Sequence, residues 1–145
     1  MIFAPILHPA DKRAYLAGVT SVEITCAQGP PIEARLIGAW IVAQLGSDYR
    51  RVIFNESRDA KSPVERVRIE SEIDGRRGVF SVGTANGGLY IESDAPDIPK
   101  LRGTVVLGPD SQAESLLRIL DAPDREWVYE RTISTLRSAL GAGKA

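Results

Sequence analysis

Between residues 64 and 93 apolar and charged positions alternate with a period of two. Val67, Ile69, Ser71 and Ile73 fall on one side, and Arg66, Arg68, Glu70, Glu72 and Asp74 fall on the other. That is the signature of strands with one dry and one solvated face. Asp74-Gly75 and Asn86-Gly87-Gly88 punctuate the run, and both accept the positive φ angles of tight hairpin turns, so the segment predicts a three-stranded antiparallel meander. Residues 19–26 carry the same alternation, with Val22, Ile24 and Cys26 against Ser21, Glu23 and Thr25. The continuous apolar run Val52-Ile53-Phe54 reads as a central strand. Residues 103–107 and, more weakly, 2–7 predict further strands.

Helical spacing appears in four places. A short helical piece is expected between Pro9 and Gly18. After Gly29-Pro30-Pro31 a helix runs over 31–45: Pro sits well in a first turn, Glu33 complements the N-terminal dipole, and Gly46 suits the terminating position. Its apolar residues Ile32, Leu36, Ile37, Trp40, Ile41, Ala43 and Leu45 cover more than one stripe, which predicts burial over most of its surface. Ser111 and Glu114 have capping-box spacing ahead of Leu116, Leu117 and Leu120. A last helix follows Pro123, with Tyr129, Ile133, Leu136 and Leu140 as its apolar stripe, and ends at Gly141. The predicted fold is therefore α+β: an antiparallel sheet of about five or six strands, including the meander 64–93, with one helix in the N-terminal half and two C-terminal helices packed on one face.

A chain of 145 residues buries roughly 70% of its unfolded surface on folding and needs no staple. Residues 1–141 are read as one domain and 142–145 as a frayed tail. Apolar residues at 43% and charged residues at 26% match ordinary globular composition. The apolar start, residues 1–7, lacks a basic leader and is not read as a signal peptide, and no stretch reaches the roughly 18 apolar residues of a membrane span. A single cysteine, Cys26, points to a reducing compartment, so the expected location is cytoplasmic. A net charge of −1 supplies no field that would draw the chain to nucleic acid or anionic lipid. The excess of arginine over lysine fits a GC-rich bacterial coding bias.

Candidate chemistry is sparse. His8 and Cys26 are the only histidine and the only cysteine, and Cys26 falls on the inward side of its strand, so it reads as a small hydrophobe and not as a nucleophile. Glu92, Asp94 and Asp97 cluster beside a proline-rich stretch at 94–99 read as a loop, the first place expected to hold a ligand, although their spacing matches no cation loop. Residues 83–88, GTANGG, lead into a strand where a phosphate-binding loop leads into a helix. Arg50, Arg51, Arg58 and Lys61 are interleaved with Glu56, Asp59 and Glu65, which reads as a solvated surface. Trp127 lies about 160° around the last helix from Tyr129 and is flanked by Arg125 and Arg131, the composition of an interface anchor. No catalytic group, metal site or cofactor is expected. The leading expectation is a non-enzymatic protein-binding module that engages a protein partner or a second copy of itself through Trp127, Arg125 and Arg131. The alternative is a small-molecule binder or enzyme with a pocket between sheet and helices.

Overall fold

The computed structural model describes residues 10–85, 88–105 and 125–142. Helix α1 (Ala10–Ala17) leads into β1 (Val19–Ala27), and α2 (Ile32–Leu45) follows. A 3-10 turn (Tyr49–Arg51) then opens β2 (Val52–Ser57), and β3 (Val64–Ile73), β4 (Arg76–Ala85), β5 (Gly88–Ala95), β6 (Ile98–Val105) and α3 (Arg125–Ala142) complete the order. The six strands form a single sheet in the order β2-β1-β3-β4-β5-β6.

Pairing is antiparallel throughout except between β1 and β2, which run parallel. The reason is the connection. A helical crossover returns the chain to the end of the sheet at which β1 began, so β2 must run in the same direction. The run Val52-Ile53-Phe54, expected at the centre, is thus an edge strand. Its 58–63 connection crosses the end of β1, where the Ala27 amide donates to the Pro63 carbonyl at 3.2 Å.

Local chemistry places the element ends where the residue types indicate. Pro31 takes extended backbone (φ −66°, ψ 163°) as the N-cap of α2, and Gly46 closes that helix in the left-handed region at φ 63°. The Ser47 amide then returns to the Val42 carbonyl at 2.9 Å, consuming one of the orphan acceptors at the helix end. Asp74 and Gly75 turn β3 into β4 with φ of 51° and 72°, the paired positive values of a type I′ hairpin. β4 and β5 pair up to Ala85↔Gly88; residues 86 and 87 of the second expected turn lie outside the described residues. So do the expected strand at 2–7, the expected helix at 111–120 and residues 143–145 of the expected tail.

Two further expectations are corrected. The stretch 94–99 is not a loop, because β5 runs to Ala95 and β6 starts at Ile98 with the pair Ala95↔Ile98. Pro96 and Asp97 form the whole turn. Among the described side chains of α3, Thr132 and Leu136 are buried, while Leu140, expected on the apolar stripe, is 49% exposed. Leu136 faces inward as its spacing predicts, and the buried position beside it is Thr132 and not Ile133, a core position that threonine's polarity hides.

One face of the sheet is dry. Val22 and Ile24 of β1, Val67 and Ile69 of β3, Phe80 and Val82 of β4, and Ile91 of β5 form one cluster with Ala34, Ile41 and Val42 of α2 and Tyr15 of α1. Ala39 and Ala43 of α2 are buried outside that cluster, and α3 packs against α2. The second helix is therefore enclosed between sheet and α3, as its wide apolar coverage predicts. Helix and sheet approach closely at Gly38, where a Cβ would stand 2.9 Å from the Val52 side chain and 3.2 Å from that of Ile24.

Candidate functional site

The other face of the sheet is polar, and its register decides which charges meet. Glu23, Arg68, Ser81 and Glu92 share one cross-strand row, while Ser21, Glu70, Val79 and Asp94 share the next. Arg68 reaches Glu23 at 3.5 Å and Glu70 at 2.6 Å, and Arg77 reaches the other Glu70 oxygen at 2.6 Å. The Glu70 side chain is only 14% exposed between its two guanidinium partners. The Asn55 amide donates to Glu23 at 3.5 Å, and the network thereby extends to β2. Ser81 is buried on this side, and the Tyr90 ring lies so close over Gly83 that a Cβ there would meet it at 2.4 Å. Opposite charges thus pair across neighbouring strands of this face, each exposed pair adding little to stability.

Glu92, Asp94 and Asp97 do not converge. Glu92 pairs with Arg102 at 3.9 Å, Asp94 with Lys100 at 2.9 Å, and Asp97 with Arg76. Each carboxylate is answered by a cation on the neighbouring strand, which leaves no shared oxygen cage. Among the described residues no group of three or more metal-ligating side chains forms.

Cys26 is fully buried on the dry face. Burial pushes its thiol up from the ordinary cysteine range, the Glu56 carboxylate pushes the same way, and Arg35 opposes both. A thiol held protonated is a poor nucleophile. Because the folded state retains a proton that the unfolded chain releases, its contribution to stability is complete below the ordinary thiol range and is lost as pH rises through and above it. Tyr49, raised by burial against the lowering influence of Arg35, acts in the same sense at higher pH. The expected result is an unfolding free energy that falls in alkaline solution, with the first part of that fall absent in Cys26→Ala; parallel alkaline profiles for the two proteins would contradict it.

Arg125, Trp127 and Arg131 belong to α3. The side chains of Arg125 and Trp127 lie outside the described residues, as does His8, and Arg131 is exposed. This helix packs against α2 and against the 3-10 turn that opens β2, so the sequence-read anchors occupy an element adjoining the β2 edge.

That edge is the feature sequence reasoning missed. Among the described residues no strand pairs with the outer side of β2. Ile53 is 47% exposed on the polar face, and Val52 and Phe54 are half-buried on the dry face. The Arg35 guanidinium sits 6.0 Å above the Phe54 ring, and Arg51 donates to the Val19 carbonyl, tying the start of β2 to β1. At the far end one Glu56 oxygen accepts from the Gly29 amide at 2.8 Å. The opposite edge, β6, reads IPKLRGTV: Pro99 lacks a donor, and Lys100 and Arg102 place cations along it, which are devices that discourage strand addition. β2 reads VIFNES and carries neither proline nor lysine. The signal available in the sequence was the strand-helix-strand order over 19–57, which favours a parallel pair. Compared with known proteins, the chain matches no family model, no curated protein and no solved structure.

Proposed function

We propose that this protein is a non-enzymatic protein-binding module that docks an extended segment of a protein partner along the β2 edge. The observation that carries the reading is the difference between the two sheet edges. An open edge displays unpaired backbone N–H and C=O groups, and a segment laid beside it satisfies them while alternate side chains set specificity. At β6 proline and cations oppose that pairing; at β2 an exposed isoleucine favours it, since a chain laid there removes apolar surface from water. α3, which carries Trp127, Arg125 and Arg131, adjoins the same edge and supplies the second contact, tryptophan and arginine being the residues on which binding energy concentrates. The paired charges of the polar face serve solubility.

Site-specific photo-crosslinking in cells tests this. A photoreactive residue at position 53 is expected to give discrete protein adducts, identified by mass spectrometry, whereas the same residue at exposed Thr104 of β6 gives none. Equal labelling from the two positions, or no adduct from either, would refute the docking edge.

A further inference from the structure

Resting on the docking-edge reading and naming its occupant, we infer that the partner at β2 is a second copy of this chain, joined about a two-fold axis through Ile53 so that two sheets become one. In antiparallel pairing the residues that face each other point to the same side of the sheet. A two-fold axis perpendicular to the sheet therefore permits only registers in which each residue opposes one of the same parity. Centred on Ile53, that register sets Ile53 against the partner's Ile53 on the polar face. On the dry face it sets Val52 against the partner's Phe54. The exposed apolar side chain of β2 and its two half-buried neighbours are thus all covered by one another.

The ends of the strand match in charge. Arg50, in the 3-10 turn just before β2, is exposed and in no ion pair among those formed by the described residues; the two-fold axis brings this basic start of the strand beside the partner's Glu56 near its end, and repeats the approach on the other side. Centring on Phe54 instead would place Val52 against the partner's Glu56 and Ile53 against the partner's Asn55, an apolar residue facing a polar one twice over. A net charge of −1 leaves two copies almost without mutual repulsion. The contact is short, about three ladder pairs with their flanks, so it forms a reversible dimer whose population depends on concentration.

Cysteine crosslinking reads the register directly. In the proposed dimer the two Ile53 Cα atoms stand roughly 4.5–5.5 Å apart, within disulfide reach. The two Asn55 positions are offset by about 13 Å along the strands and cannot be bridged. Under mild oxidation Ile53→Cys is expected to form a disulfide-linked species of twice the 15.7 kDa chain mass, and Asn55→Cys to stay monomeric; Cys26, fully buried, does not compete. In sedimentation equilibrium of the full chain, Arg50→Glu and Glu56→Arg are each expected to raise the dimer dissociation constant about fivefold or more, from the loss of two exposed ion pairs. The double variant Arg50→Glu/Glu56→Arg restores it, which a merely structural effect would not do. Thermal melts of the variants establish that all are folded.

A chain that stays monomeric at every concentration, with no crosslink through position 53, overturns the dimer. So does a dimer that crosslinks through 55 and not 53, or a double variant that fails to recover. Monomeric protein that still gives adducts to a different protein from position 53 in cells overturns the second copy as occupant and leaves the docking edge standing. No dimer and no adduct overturns both.

Discussion

Phe80→Ala is expected to lower the unfolding free energy by about 3–5 kcal/mol, a large fraction of the roughly 5–15 kcal/mol available to a domain. The ring is 1% exposed and stands at the middle of the dry face, opposite Ile69 on one side and Ser93 on the other. The Tyr15 ring meets it edge-on, with centroids 6.0 Å apart and planes at 62°, and through that contact α1 is held to the sheet. Truncation removes the apolar area, leaves a cavity that surrounding strands cannot close, and abolishes the aromatic pair. Denaturant unfolding followed by fluorescence and circular dichroism checks it. A loss under about 1 kcal/mol would mean that this side of the sheet is not a close-packed core.

The second large effect is expected at Gly38. A valine there must place its methyl groups where the Val52 and Ile24 side chains already stand, at 2.9 and 3.2 Å from the Cβ position. Valine is the better helix former of the two residues, but overpacking of a dense interior costs about 1–3 kcal/mol and outweighs that gain. Gly38→Val should therefore destabilise the protein by displacing α2 from the parallel pair beneath it. Adding Val52→Ala removes the nearest obstruction, so the double variant should be more stable than the sum of the two single changes predicts. Strict additivity would place the clash elsewhere.

Both predictions rest on positions whose importance differs in legibility. Phe80 is readable from the chain as one of the apolar residues Val79, Phe80 and Val82 of a predicted strand, though the chain does not say which of the three face inward. Gly38 is not: in sequence it is a helix-weakening residue between Ile37 and Ala39, and its purpose appears only when the helix is laid over Ile24 and Val52. The carboxylates Glu92, Asp94 and Asp97 show the same limit from the other direction. Their clustering along the chain suggests a shared site, and Glu92 and Asp94 do share a face of β5, yet each pairs with its own cation across the hairpin while Asp97 in the turn pairs with Arg76 of β4. The continuous run Val52-Ile53-Phe54, expected in a central strand, lies at the end of the described sheet, because an apolar run records how hydrophobic a strand is and not how many neighbours it has. The candidate site of the molecule was missing from the sequence reading for that reason.

By itself the sequence determined the local decisions: which residues of 66–74 face inward, that Asp74-Gly75 reverses the chain, that Pro31 and Gly46 bound a helix, and that this helix is covered on most sides. These follow from side-chain period and from the dihedral freedom of single residues, which act over a few positions. The tertiary structure alone decided the strand order, the parallel pairing of β1 with β2, the ion pairs of the polar face and the place of β2 at the end of the described sheet. Those depend on which distant segments bury one another, and a period of two or 3.6 assigns a residue to a face without naming the strand beside it.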